Sequence, residues 1–430
     1  MRATVFFFSS WLMALFFVAA PSSAIARHCG GSRPCQCGDV VAADSTLTAN
    51  LGPCEKRGLA VASGVTLDCG KHIIRGTGER SEDFGLALQK NTTGATIRNC
   101  VVTGFQRGIR LKDVKKNKIL FNTVHKNGNF SSQVGYGIDV AGARENLFKG
   151  NFVHHNADEG IHVGTGSHGN TFLNNHVEDN GRENFYFLSA DKGVLRENST
   201  RGGGAASVFI KHSAFLHLEK NTFHDKPVIL RGNAHDNVLI DNEVLNAGIR
   251  FQPYEEQGSW TYPSKNLVSG GKISDASECL SFTSASENTV KDVALSQCGQ
   301  TVVSKADVGP AENTIIGIPF TQKTVLLDEK SVLHVGWRLE ILVKEKSGVP
   351  VVGANVQGVE AKERVVFEAL TDSTGAIPPQ DIIEQTRRGD TSVTHMPLLV
   401  RVSVGEKTVS QEVNVTKHAA VTITFPASPR

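Results

Sequence analysis

"GIHVGTGSHGNTFLNNHVEDNG" runs from Gly160 to Gly181. Its apolar residues, Ile161, Val163, Phe172, Leu173 and Val177, do not share one 3.6-residue stripe, which excludes an amphipathic helix. Ile161 and Val163 alternate with His162, as residues of a strand do. Between the short strands stand two asparagines five residues apart, Asn170 and Asn175.

The same pattern recurs along the chain. Aligned on the second asparagine, "TIRNCVV" gives Asn99, "ILFNTVH" Asn122, "LFKGNFVH" Asn151, "TFLNNHVE" Asn175, "VLRENST" Asn198, "HLEKNTF" Asn221 and "LIDNEVL" Asn242. The steps are 23, 29, 24, 23, 23 and 21 residues. Strand openings keep this step, as at Gly108, Gly137, Gly160 and Phe185. A fixed period in this range marks a solenoid. A leucine-rich repeat needs an L-x-x-L-x-L frame, which is absent. The remaining solution is a coil of three short strands, each coil bonded to the next at about 4.8 Å. The asparagines are expected to take the left-handed backbone of a tight corner. Their amides are expected to stack coil on coil, in one row from Asn99 to Asn242.

With "GVTLDCGKHIIRG" (Gly64–Gly76) as an opening coil, the chain resembles the right-handed parallel β-helix family over about Gly58 to Phe320. The resemblance implies an all-β fold, a single-stranded helix spanning 60–320. That family includes pectate-lyase-like enzymes, alginate C5-epimerases, tail-spike hydrolases, copper-accessory proteins and structural proteins, so the fold leaves function open.

The flanks read differently. An apolar run from Val5 to Ala20 followed by Ala24-Ile25-Ala26 has the form of a cleaved signal peptide over 1–26. Secretion, to the exterior or a periplasm, then makes the eight cysteines candidates for disulfides, with Cys37–Cys54 and Cys279–Cys298 as plausible local pairs. Residues 27–59 are expected to cap the helix start. A linker is expected at 321–333. From 334 to 430, longer alternating strands such as "WRLEILVKEK" and "LLVRVSVGEK" resemble a small carboxypeptidase-regulatory-like, immunoglobulin-type β-sandwich. No later apolar run reaches membrane-spanning length. Lys+Arg 45 against Asp+Glu 43 gives no basic footprint for nucleic acid.

In each G-I-x-V strand the x residue points outward. The resulting column reads Arg110, Asp139, His162, Tyr186, Phe209, Ile229 and Arg250. Its spacing suits successive sugars of a polysaccharide. Arg110, Asp139, His162 and Tyr186 are the candidate catalytic residues: an arginine neutralises a uronate carboxylate, and His and Tyr exchange the proton beside it. His155, Arg250 and the insertion residues Tyr254, Trp260 and Tyr262 are candidate substrate contacts, the aromatic rings by stacking on sugar faces. A second outward column reads His125, His154, Glu178, Arg201 and His224, with His154 and His155 expected on opposite faces.

Alginate epimerases carry Tyr-Gly-x-Asp-Pro-His-acid. Tyr136-Gly137-Ile138-Asp139 matches its first half, whereas Val140-Ala141-Gly142 replaces the rest. The residues therefore read as a secreted protein that binds an acidic polysaccharide and modifies it by lyase or epimerase chemistry. The alternatives are a non-catalytic structural or surface-interaction β-helix and a periplasmic copper-accessory protein, since ten of 15 histidines lie between His125 and His235. No Cys/His spacing matches a zinc site. Calcium would suit the oxygens of Asp158, Glu159 and Asp179.

Overall fold

The computed structural model describes residues 27–78, 84–129, 131–132, 134–360 and 363–426. The expected signal peptide at 1–26 lies outside the described residues. Among these residues, no helix is long and apolar enough to cross a membrane.

The chain winds as a right-handed parallel β-helix. Each full coil gives one short strand to each of three sheets, which hold 14, 16 and 11 strands among the described residues. The 14-stranded first face contains Tyr136–Ala141, Ile161–Val163 and Phe185–Leu188. The second contains Leu147–Lys149 and Thr171–Leu173, and the third Phe152–His154 and His176–Glu178. On the first face pairing is parallel and in register, so Ile138 meets Ile161 and then Phe185. Alternation sends Ile138, Val140, Ile161, Val163, Phe185 and Phe187 into a continuous core, where Phe148 and Phe172 stack at 4.7 Å. This burial of apolar area along the whole axis is the main stabilising contribution.

The corners answer why asparagines recur five residues apart. They form three rows, one at each corner of the coil. Asn117, Asn146 and Asn170 head the second face; Asn122, Asn151, Asn175, Asn198, Asn221 and Asn242 head the third; Asn127, Asn156 and Asn180 lead back to the first. Each link is the same. Asn151 Nδ2 donates to Asn175 Oδ1 at 2.9 Å and to the Ile119 carbonyl at 2.9 Å, while its backbone N–H donates to that same Oδ1 at 3.0 Å. All these side chains are buried, and their polar atoms are satisfied.

Two expectations are corrected here. The left-handed residue is the one before the ladder asparagine: Phe121, Asn174, Glu197, Lys220 and Asp241 all have φ between 52° and 55°. Asn99 is such a residue, so it lies one place off the row and donates to Asp68 Oδ1 instead. The ladder position in its coil belongs to Cys100, whose N–H donates to Asn122 Oδ1 and whose sulfur is bonded to Cys69.

All eight cysteines are paired, as Cys29–Cys35, Cys37–Cys54, Cys69–Cys100 and Cys279–Cys298. Both local pairs expected from the sequence are present. Winding begins before residue 60: Val40–Val41, Ser45–Thr46 and Leu51–Cys54 already occupy all three faces. It also runs through the expected linker, where Val325–Leu327 pairs with the first face. The strand Val332–Glu345 then closes the helix. Its first half pairs in parallel with Glu312–Ile316, and its second half with Ala419–Phe425. A four-stranded antiparallel sheet, in the order Val365–Leu370, Asn355–Val359, Leu398–Val404, Lys407–Val413, faces it across a second core with Ile341, Val356, Val400 and Phe425. This is the arrangement of a small sandwich.

Asn175→Ala should cost about 3 kcal/mol in denaturant unfolding, because it strands buried donors on Asn151. Asn99→Ala should cost under about 1 kcal/mol. Equal losses would remove the ladder from the account of stability.

Candidate active site

Register on the first face aligns one outward column: Val40, Ala60, Ala87, Arg110, Asp139, His162, Tyr186, Phe209, Ile229, Arg250, Ser281 and Val303. The four residues expected to be catalytic are consecutive members. The column lies between two flanks. On one side Arg107 is followed by Tyr136, and the backbone bonds of Gly137 and Gly160 continue that flank with Glu159 and Glu183. On the other side lie Leu188, Lys211, Arg231 and Gln252.

Small side chains at Ala60 and Ala87 leave a groove of about 550 Å³ at the N-terminal end of the column. Arg57, Lys90, Arg110 and Lys112 line it with Phe84, against the single carboxylate of Asp113. Among the described residues Arg57, Lys90 and Lys112 form no ion pair, and this lining sets four cations against one carboxylate.

One coil further on the charges balance. Arg107 Nε approaches Asp139 Oδ2 at 3.0 Å, and Arg110 Nε lies 3.9 Å from the same oxygen. Burial raises Asp139 above the ordinary carboxylate range, while His162, Arg107 and Arg110 pull it back. Clamped between two guanidiniums, Asp139 orients them and is poorly placed to act as a base.

His162 is packed into the site. Its ring lies 4.6 Å from that of Tyr136 and 5.4 Å from that of Tyr186, and its side chain is only 15% exposed. The expectation of a histidine facing open water is therefore corrected. Its Nδ1 is 3.9 Å from Glu159 Oε2. Burial and the adjacent carboxylates push the hydroxyls of Tyr136 and Tyr186 up to about 12, so both stay protonated at neutral pH and neither serves as a base.

Beside His162 is a group that the sequence reading did not assemble. Arg182 Nη1 lies 3.4 Å from Asp158 and 3.6 Å from Glu159, and its Nε lies 3.6 Å from Glu183. Burial and the neighbouring Glu159 raise Asp158 to about 7. Burial would raise Glu159 too, but His162 and Arg182 hold it below its usual value. Burial also raises Glu183. The "NGREN" turn at 180–184 supplies Arg182 and Glu183; the coil carries Asn184 where the preceding coils have the glycine that marks a strand opening.

The other expected contacts scatter. His155 takes the left-handed conformation at the corner before Asn156, with φ of 52°, so it does not continue the strand to the opposite face. Its Nδ1 sits 2.9 Å from His154 Nδ1 on the third face, where His125 and His154 stack at 5.0 Å. Arg250 lies on the column but three coils past Tyr186, about 14 Å away. Residues Tyr254–Glu256 and Ser259–Thr261 form a hairpin. Tyr254 rests on Lys211 at 3.5 Å, beside the first face. Trp260 pairs with Glu255, so the pleat turns it to the other side of the hairpin, where it is 40% exposed. Tyr262 donates to the Val308 carbonyl at 2.9 Å and packs the loop down. Among the described residues no group of three or more His, Cys, Asp or Glu side chains could hold a metal, at the calcium candidates or at the histidines considered for copper.

The raised Asp158 has a consequence for stability. The folded state holds its proton more tightly than the unfolded chain, whose aspartates titrate near 3.9. It therefore destabilises the fold increasingly as pH rises from about 4 to about 7, and fully above that. Asp158→Asn should remove this loss, stabilising the protein by about 2 kcal/mol more at pH 8 than at pH 4. A pH-independent effect in paired unfolding curves would contradict the assignment.

Residues 84–245 match the family model described as the right handed beta helix region. No curated protein matches the chain. Among solved structures, the chain is similar to the A-module of a mannuronan C-5 epimerase from Azotobacter vinelandii, with 14% identity over 63% of this chain and 90% of that one, at a TM-score of 0.42. An alginate lyase from a Paenibacillus species gives 12% identity over 66% and 96%, at 0.38. A tailspike protein of an Escherichia coli bacteriophage, crystallised with a hexasaccharide, gives 11% over 88% and 82%, at 0.41. At these identities the likeness is one of fold.

Proposed function

We propose that the first face binds an acidic polysaccharide, laid along the column from Ala60 to Tyr186, and modifies it by acid–base chemistry on the coils of Asp139, His162 and Tyr186. The observation that carries this reading is the groove in which Arg57, Lys90, Arg110 and Lys112 face one another on the column that continues into Asp139 and His162. Among the described residues Arg57, Lys90 and Lys112 form no ion pair, and such cations suit carboxylates or sulfates of a ligand. The rise of about 4.8 Å per coil is close to the length of one sugar unit, so sugars and side chains keep step. Tyr136, His162, Tyr186 and Phe209 follow the groove with rings 4.6 to 5.5 Å apart, a surface suited to sugar faces. His162 is the candidate proton carrier, and Tyr186 a donor toward ring oxygens. The four disulfides suit an oxidising compartment, and we place the protein outside the cytoplasm.

The test is equilibrium binding of the full chain to alginate, polygalacturonate, hyaluronan and gellan, with dextran as the neutral control. Affinity should fall steeply with salt for the polyanions. Arg110→Ala with Lys112→Ala should weaken binding about 10-fold or more. Arg250→Ala, remote from the groove, should change it less than about threefold. Equal affinity for dextran, or indifference to the double substitution, would remove the groove from the reading.

A further inference from the structure

We propose that the cationic groove forks at Asp113, and that its second arm takes an acidic side branch of the bound polysaccharide. This rests on the polysaccharide reading above and names its substrate class, a branched acidic glycan.

The positive charge of the chain is concentrated around this point. Residues 89–149 hold eleven Lys and Arg against Asp113, Asp139 and Glu145, whereas the whole chain has 45 against 43. Asp139 is taken up by Arg107 and Arg110, and Glu145 by Lys116 at 3.6 Å. Asp113 is the carboxylate shared by two hollows. It lines the groove with Arg110 and Lys112, and it lines a second hollow of about 420 Å³ with Asn91, Lys115, Gly142 and Arg144. That volume falls in the range of small-ligand sites, about 300–1,000 Å³.

The second hollow lies where the chain turns from the first face to the second, after Arg107–Lys112 and before Lys118–Leu120. It therefore leaves the column sideways. A linear chain that keeps to the column passes it by, and a side branch reaches it. Backbone geometry holds the fork open. Asp113 and Gly142, in successive coils, have φ of 53° and 60°. A β-carbon on Gly142 would come within 2.6 Å of Asp113 Oδ1, so the bare glycine gives the carboxylate its place between the two hollows.

Lys115 and Arg144 are partners in a parallel bridge of this turn, about 4.8 Å apart. Like charges stacked in this way repel, and among the described residues neither of the two forms an ion pair. Arg144 Nε donates to the Gly166 carbonyl at 3.2 Å, which orients its guanidinium. An anionic group bound between the two cations relieves their repulsion and gains charge-assisted hydrogen bonds. Asp113 sorts the sugars on either side of it. Its carboxylate accepts hydrogen bonds from hydroxyl groups and repels another carboxylate. The sugar at the branch point is therefore neutral, with acidic sugars beyond it along the groove and along the branch.

The test is equilibrium binding of the full chain at about 0.15 M salt, where exposed charges more than about 8 Å apart are screened. The probes are xanthan and gum arabic, whose uronates stand on branches, and alginate and polygalacturonate, which are unbranched. Lys115→Ala with Arg144→Ala should weaken binding of at least one branched polymer about 10-fold or more and leave both linear polymers within about threefold. Both side chains are exposed, and circular dichroism checks that the variant folds; Lys115→Gln with Arg144→Gln serves as the second variant. Equal losses for linear and branched polymers would make the second hollow part of a linear path and overturn the fork. So would a loss under about threefold for every branched polymer the parent binds, or binding of the linear polymers alone. Failure of the parent to bind any of the four would defeat the polysaccharide reading itself, and this inference with it.

Discussion

Everything in the helix depends on one primary amide placed at the same point of successive turns. An asparagine oxygen that accepts both the side-chain and the backbone N–H of the coil before it leaves no freedom for that corner to slide. A one-residue slip would turn every strand inside out. With the corners pinned, the side chains between them line up into columns. The first face is such a column read twice: once along its centre, from Arg110 to Tyr186, and once along its flank, from Arg107 to Glu183.

The two columns differ in their charges. At the centre Asp139 is held by two arginines, and burial keeps Tyr186 protonated. The flank carries the carboxylates of Glu159 and Glu183 beside Arg182. Charge is also graded along the axis, from a cationic groove over small residues to a buried carboxylate cluster balanced by a single exposed arginine. A ligand that reads this gradient has a direction, and so does the groove.

Much of this was legible because a solenoid makes sequence spacing equal to spatial stacking. Arg110, Asp139, His162 and Tyr186 could be aligned from the Gly-Ile-x-Val strands alone, and the structure keeps that alignment. One asparagine row was legible too, although Asn117, Asn146 and Asn170 before it and Asn127, Asn156 and Asn180 after it stand at the same five-residue interval as rows of their own. Asn99 misled because a left-handed corner accepts an asparagine as readily as the ladder does. Arg182 and Glu183 escaped because they lie in a turn outside the repeat, whose path decides where a charge ends up. His155 shows the same limit: one positive φ moved it to another face. Burial of Asp158 and Glu159 depends on neighbours from three coils and has no signature in a single stretch.

Val332–Glu345 belongs at once to the last turn of the helix and to the second core. One strand thus joins the two cores, with a register shift between Val335 and Gly336 close to where its parallel pairing changes partner. The ion pair of Arg338 with Asp292 at 2.6 Å crosses the same joint. Antiparallel pairing with Gln380–Arg388 occupies the edge of the second sheet at the point where another turn would otherwise add. That edge would template fibrous end-to-end growth of many copies, and its closure acts as a chain terminator in the polymer sense.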